Sequence, residues 1–171
     1  MTATYHAFDT PIGALRLVGD EAAINRIDLP NRAVKPPDPA WTPSADRLPA
    51  ALAEAKRQIE EYFAGARQDF DLPLSPQGTP FQCRVWAELR RIPFGETISS
   101  GELAARIGKP SASRAVGAAN GRNPLPVVVP CHRVIGSDGR LTGFGGGLPT
   151  KQALLDLERR VGERQLRLRG C

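Results

Sequence analysis

Ser75-Pro76-Gln77-Gly78-Thr79-Pro80-Phe81-Gln82 is the stretch that divides this chain. Its first four residues, rich in turn formers, read as a linker. The next four read as a helix start: Thr79 at the N-cap, Pro80 where a missing N–H costs nothing, and Gln82 placed to complete a capping box. Phe81, Val85, Trp86 and Leu89 then share one helical face, which makes Trp86 a core residue, and Pro93 ends the helix. The reading places an N-terminal unit at residues 1–75 and a second unit at residues 76–171.

Toward the N-terminus the pattern is of short strands. Tyr5-His6-Ala7-Phe8 and Ala14-Leu15-Arg16-Leu17-Val18 flank Thr10-Pro11-Ile12-Gly13, a hairpin connection. Ile24 to Leu29 adds a third strand, Pro30 to Pro49 is a proline-rich irregular connection, and Asp69 to Leu74 offers one more strand. Between them Leu52, Ile59 and Phe63 recur at helical spacing over residues 50–64, with Lys56, Arg57 and Glu60 opposite and Gly65 as the stop.

Toward the C-terminus, Ser99-Ser100-Gly101-Glu102 is a second capping box, ahead of Leu103, Ala104 and Ile107. Gly108-Lys109-Pro110 breaks the chain, and Ser111 is placed to cap a short helix running to about Asn120. Two short helices across a tight turn suggest a helix-turn-helix or a packed helix hairpin; alanines at 112, 115, 118 and 119 keep the second helix slim. Val127-Val128-Val129 reads as a buried strand, residues 137–140 as a turn, residues 143–147 as a glycine loop, and a last helix starts near Thr150 with Leu154, Leu155 and Val161 as its apolar positions. The fold class is α+β: an N-terminal α/β domain with a small antiparallel sheet, then a mainly helical domain containing a helix-turn-helix.

The 171 residues carry a net charge of +5 and a pI of about 9.6, a balance common in nucleic-acid-binding domains. Part of the excess lies in Arg159, Arg160, Arg164, Arg167 and Arg169, which a solvated end also explains. No stretch reaches the length of a membrane span, and the N-terminus lacks a signal-peptide pattern. The expectation is a cytoplasmic protein with no membrane partner. Cys83, Cys131 and Cys171 form neither a disulfide framework nor a metal-ligand spacing, and with His6 and His132 far apart no metal site is expected.

Cys131-His132 stands out chemically. A thiol attacks carbon as its thiolate, and an adjacent base raises that fraction. Neighbours in an extended strand point to opposite faces, so the two side chains need a turn after Pro130 to act together.

The run Arg114-Ala115-Val116-Gly117, Gly121-Arg122-Asn123-Pro124 and Val129-Pro130-Cys131-His132-Arg133-Val134-Ile135-Gly136 resembles the signature of the O6-alkylguanine-DNA alkyltransferases. The likeness continues through residues 141–147, Lys151 and Glu158, and reaches back to residues 78–82 and 94–97. The resemblance implies irreversible, single-turnover transfer of an alkyl group from guanine O6 in duplex DNA to Cys131, with no dissociable cofactor. His132 matches the residue that takes the thiol proton through a water, and Glu158 the carboxylate that orients it. On pattern alone Glu158 is an exposed helix residue. Asn123 matches the asparagine tying the recognition helix to the active-site strand. Arg114 matches the finger that fills the stack when the nucleotide is extruded, with Ser113 and Ala115 beside it in the DNA-binding set. Val134 matches a carbonyl that accepts from the guanine amino group, and Gly145 a backbone N–H near O6. Phe144 keeps a ring wall where many relatives have tyrosine. Lys151 matches a lysine beside that wall, a solvated lysine being the alternative. Ser100 stands where many relatives have a tyrosine that assists base rotation and protonation of guanine N3. The implied partner is double-stranded DNA containing O6-alkylguanine, with O4-alkylthymine as a second candidate lesion, and the expected solution state is a monomer. A lesion sensor lacking the acceptor cysteine and a sequence-specific helix-turn-helix regulator are the rival readings. Cys131 argues against the first, and the second leaves Cys131, His132, Asn123 and Glu158 coincidental.

Overall fold

The computed structural model describes residues 3–141 and 144–170. The chain divides into two compact units, Met1–Gln77 with Pro124–Val128, and Gly78–Asn123 with Val129–Cys171. Thr142, Gly143 and Cys171, which figured in the sequence reading, lie outside the described residues.

In the first unit β1 (Thr4–Thr10) and β2 (Gly13–Gly19) form the expected hairpin, with Tyr5 opposite Val18 and Thr10 opposite Gly13. β3 (Ile24–Asp28) pairs antiparallel with β2, and a bulge falls at Val18/Gly19. The proline-rich stretch is not wholly irregular: it holds a short helix α1 (Pro30–Ala33) and a two-residue strand β4 (Thr42–Pro43). β4 pairs parallel with β1, so the sheet is mixed, order β3-β2-β1-β4, and not purely antiparallel. Pro43 tolerates this place because an edge strand has N–H groups that no partner needs. The strand expected over residues 69–74 reduces to a single bridge between Leu74 and Ile24.

α2 (Ala50–Phe63) buries Leu52, Ala55, Ile59 and Tyr62 completely, at spacings of three and four residues. Leu15, Leu17 and Ile24 of the sheet are equally buried. At roughly 25 cal/mol per Å² of apolar surface, each buried leucine or isoleucine among them contributes on the order of 1.5–3 kcal/mol. Alternation along β2 sends Leu15 and Leu17 to one face and Arg16 to the other. Arg16 is only 5% exposed and lies against Asp28 at 2.8 Å.

In the second unit α3 (Pro80–Leu89) starts on the expected capping box, with Thr79 and Gln82 each satisfying the other's backbone N–H at 3.1 and 3.0 Å. Such a cap contributes about 1 kcal/mol. Val85, Trp86 and Leu89 are buried, and Trp86 Nε1 donates to the Ala119 carbonyl at 2.8 Å. Gly78 is required there: a Cβ would stand 2.4 Å from the Trp86 ring.

β5 (Ile98–Ser99) leads into α4 (Ser100–Arg106), capped by Ser99, whose hydroxyl accepts from Glu102 N–H. Gly108, at φ +77°, closes α4, with Gly108 N–H on the Ala105 carbonyl and Lys109 N–H on that of Ala104. α5 (Ser113–Gly121) follows and packs against α3 and α4. Its N-cap is Ala112, not Ser111. Pro110 sets up a turn in which Ala112 N–H reaches the Lys109 carbonyl, and that turn consumes Ser111.

The valines at 127–129 form a turn rather than a strand. Pro124, Pro126 and Pro130, on either side of the valines, remove three N–H donors that a ladder needs. Val127 has φ +74°, the one described non-glycine residue with positive φ. All three valines are nonetheless buried. After Pro130 a 3₁₀ turn covers Cys131–Arg133, and β6 (Val134–Ile135) pairs parallel with β5. α6 (Leu148–Arg169) begins two residues before the expected Thr150, since Pro149 falls in its first turn with φ already fixed. Leu154 and Val161 are buried on it, Leu155 is half-buried, and the arginines at 159, 160, 164, 167 and 169 are exposed.

Candidate active site

Pro130, at φ −81° and ψ 65°, makes the tightest kind of turn, closed by Cys131 N–H on the Val129 carbonyl at 2.8 Å. That carbonyl also accepts from Asn123 Nδ2 at 2.8 Å, so Asn123 fixes the turn from the end of α5. Asn120, one helical turn earlier, donates to the Cys131 carbonyl at 3.4 Å. The turn that the Cys-His pair needed is therefore present and tied down from both sides.

Cys131, His132 and Arg133 are all buried, His132 completely. His132 Nε2 lies 2.7 Å from Glu158 Oε2. Arg133 donates to both oxygens of Glu158, through Nε to Oε1 at 2.9 Å and through Nη2 to Oε2 at 3.0 Å. Gly95 N–H adds a bond to Oε1 at 3.0 Å. A third arm of Arg133 reaches the Ile92 carbonyl at 2.7 Å, and its guanidinium lies 5.6 Å from the centre of the Phe94 ring. Glu158 is 1% exposed, so it is not the surface residue that its helical position suggested.

The electrostatics follow from these contacts. Burial by itself raises the Glu158 carboxyl, but hydrogen bonds and charge from His132 and Arg133 outweigh it and hold the group well below the usual carboxylate range. Burial lowers the His132 pKa against the pull of Glu158, so the ring is neutral near pH 7. Nε2 must then carry the proton, because it faces an acceptor-only carboxylate. Nδ1 is left as the basic nitrogen, buried and without a hydrogen-bond partner among the described residues. Burial pushes the Cys131 thiol up to about 11, against a hydrogen bond from Asn123 and the positive charge of Lys151.

Lys151 is fully buried, which overturns the solvated alternative. Its Nζ donates to the Val134 carbonyl at 2.5 Å. Burial lowers its pKa, and the neighbouring Cys131 acts in the opposite direction. The Val134 carbonyl has two lone pairs, so one acceptor position remains after Lys151. Phe144 is half-buried and Gly145 exposed, just before α6; a Cβ on Gly145 would stand 3.5 Å from the Gly121 carbonyl. Arg114 and Ala115 are exposed on the first turn of α5, with Ser113 half-buried, and Ser100 is half-buried at the start of α4.

Cys131, His132, Asn123, Lys151, Val134 and Glu158 thus form one cluster. Arg133, Gly95 and Asn120 complete it and were missed as site residues by sequence reasoning. Arg133 lay inside the quoted motif, and Asn120 was a polar residue on the apolar face of α5. Among the described residues no group of three metal-ligating side chains comes together, and no helix is long and apolar enough to cross a membrane.

Residues 3–76 match the family described as "6-O-methylguanine DNA methyltransferase, ribonuclease-like domain", and residues 80–160 the one described as "6-O-methylguanine DNA methyltransferase, DNA binding domain". A methylated-DNA–protein-cysteine methyltransferase of Mycolicibacterium paratuberculosis is 49% identical over 91% of this chain and 92% of its own length. One from Methanosarcina acetivorans is 47% identical over 90% and 97%. The structure of Mycobacterium tuberculosis OGT in complex with DNA superposes with a TM-score of 0.83 at 46% identity, covering 92% of this chain and 94% of that one. By both halves of its sequence and by its fold, this chain belongs to the 6-O-methylguanine DNA methyltransferase family.

Proposed function

We propose that this protein repairs alkylated double-stranded DNA directly, with Cys131 as acceptor of the alkyl group on guanine O6. The Sγ–C bond forms as the C–O6 bond breaks, and unmodified guanine is left in the duplex. The resting group is a thiol, so its proton must leave as sulfur attacks. The observation that carries the reading is the buried His132–Glu158 couple beside Cys131, with Nδ1 uncommitted. Nδ1 takes the thiol proton through one water, and Glu158 stabilises the imidazolium that forms, in the nucleophile, base and orienter arrangement of catalytic triads. The departing guanine takes up one proton, so the exchange balances without a cofactor. The thioether is stable, so each molecule acts once.

The remaining roles follow the same reading. Lys151 places positive charge near the developing thiolate, and Asn123 holds the turn that aims it. The target base is extruded from the stack. Arg114, flanked by Ser113 and Ala115 on exposed α5, fills the gap with a planar cation able to stack and hydrogen-bond. The Val134 carbonyl, Phe144 and the Gly145 backbone line the base pocket, and Ser100 supplies a short hydroxyl on its rim. Residues 76–171 then carry both DNA binding and transfer, and the protein works as a cytoplasmic monomer.

Incubation with a duplex containing one O6-methylguanine tests the proposal. The expected outcome is stoichiometric loss of methyl from DNA with no further turnover, and binding to undamaged duplex that weakens steeply with salt. Tight, sequence-selective binding without transfer would favour the helix-turn-helix regulator instead.

A further inference from the structure

The first unit contains a cleft of about 410 Å³ that plays no part in this chemistry, lined by Arg16, Arg26, Arg32, Lys35, Asp38 and Trp41. Its construction starts from Arg16, a buried cation on the face of β2 opposite Leu15 and Leu17. Arg16 donates to the Lys35 carbonyl at 2.7 Å and to the Arg32 carbonyl at 3.3 Å, as well as to Asp28 at 2.9 Å. A buried guanidinium therefore pins the backbone of the two residues whose own charged side chains line the cleft. Arg26 is held from the other side by Asp28 at 2.7 Å. The Arg16 and Arg26 guanidiniums lie 5.4 and 5.5 Å from the centre of the Trp41 ring, which orients both.

Four cations meet two carboxylates here, and the carboxylates are already engaged. Asp28 is shared by Arg16 and Arg26. Asp38 accepts from the Ala40 N–H at 2.8 Å. Among the described residues neither Arg32 nor Lys35 has a carboxylate within ion-pair distance. Converging like charges repel unless an anion sits between them. A scaffold that spends a buried arginine on holding such charges together is preorganised for an anion.

We infer that this cleft binds a small phosphorylated anion, with Arg32 and Lys35 as its direct contacts and Arg16, Asp28 and Trp41 as the frame that positions them. The volume falls in the range of small-molecule sites, and Arg16 sits too deep to serve a duplex lying across the surface. Guanidinium and ammonium donors together suit a phosphate or diphosphate group.

Inorganic pyrophosphate and ADP are the probes, titrated into the full-length protein at matched ionic strength. Trp41 fluorescence is the readout, since the other tryptophan, Trp86, is buried in the second unit. The expected result is a saturable change with a rise in melting temperature by mass action. Replacing both exposed contacts, Arg32→Ala with Lys35→Ala, should weaken binding at least about tenfold through the loss of two charge-assisted bonds, with single-turnover methyl transfer unchanged. Circular dichroism checks that the variant is folded. A response that never saturates, or an affinity unchanged in the folded variant, would overturn the inference. Displacement of pyrophosphate by undamaged duplex would also overturn it, and would make the cleft part of the DNA-binding surface.

Discussion

Among the described residues each unit holds a buried arginine–carboxylate cluster, and the two are built differently. In the first, Asp28 gives its oxygens to Arg16 and Arg26, and Arg16 spends its other donors on backbone carbonyls. In the second, Glu158 receives Arg133 and Gly95 in the same manner but also receives His132, whose far nitrogen has no partner among the described residues. A buried ion pair is thus no mark of catalysis in itself. What separates the two is a buried histidine nitrogen without a partner among the described residues, on the residue next to Cys131.

Substitution of each carboxylate by its amide probes this difference most strongly. Breaking a buried pair costs about 3–5 kcal/mol wherever the remaining charge stays buried. Asp28→Asn and Glu158→Gln should therefore lower stability to denaturant by similar amounts. Only Glu158→Gln should slow single-turnover transfer, by about 10²–10⁴-fold, the usual range for a positioned acid–base group, with little change in affinity for undamaged duplex. Equal losses of rate in the two folded variants would erase the distinction.

Much of this was legible in the sequence because it is local. The hairpin, the Thr79–Gln82 capping box and the amphipathic α2 each follow from spacing within a few residues. The Cys-His pair and Asn123 came from a motif of continuous sequence. At the valine turn hydrophobicity alone predicts a strand, while the three prolines around it deny a ladder its donors. Ser111 looked like a cap until Pro110 drew it into a turn. Lys151 and Glu158 were illegible as buried residues, since charged side chains on an amphipathic helix default to solvent. Their partners lie on other elements: Gly95 is 63 positions from Glu158, and no periodicity links such residues.

Arg114 sharpens the contrast from the DNA side. Arg114→Ala should slow repair of methylated duplex more than transfer from free O6-benzylguanine, which needs no extrusion. The gap should be about tenfold or more if the side chain supplies 1.5–3 kcal/mol of charge-assisted contact. Parallel losses in both assays would make Arg114 a support of the fold.

Ser100→Tyr should have a smaller effect. With Ser100 on the rim of the base pocket, as proposed, a phenol there would reach farther toward the extruded base, and one good hydrogen bond to developing charge would raise the duplex rate up to about tenfold. If the half-buried position lacks room for a ring, melting temperature falls by the equivalent of 1–3 kcal/mol, typically, and the rate does not rise. An unchanged rate at unchanged stability would show that the task is already performed.

The pH dependence of stability gives the smallest effect. His132 is held below its ordinary value of 6.5 in the folded protein. Just below pH 6.5 the unfolded chain therefore binds a proton that the folded chain refuses, and stability falls as pH falls, by at most about 1.4 kcal/mol per pH unit for this group. Glu158, also lowered, extends the loss to more acid pH, below the ordinary carboxylate value. His132→Gln should flatten the slope just below pH 6.5 in denaturant melts. His6, lowered as well but only partly buried, accounts for the slope that remains. A slope unaffected by His132→Gln would mean that the ring is not held neutral.

The most direct test of the central claim is where the alkyl group ends up. Peptide mass spectrometry after incubation with one equivalent of methylated duplex should find a single methyl adduct, on Cys131, with Cys83 and Cys171 unmodified. Cys131→Ser should accept none while still binding DNA. Methyl on Cys83 or Cys171 at comparable yield, or transfer that survives Cys131→Ser, would contradict the assignment of the His132–Glu158 cluster as the site of transfer.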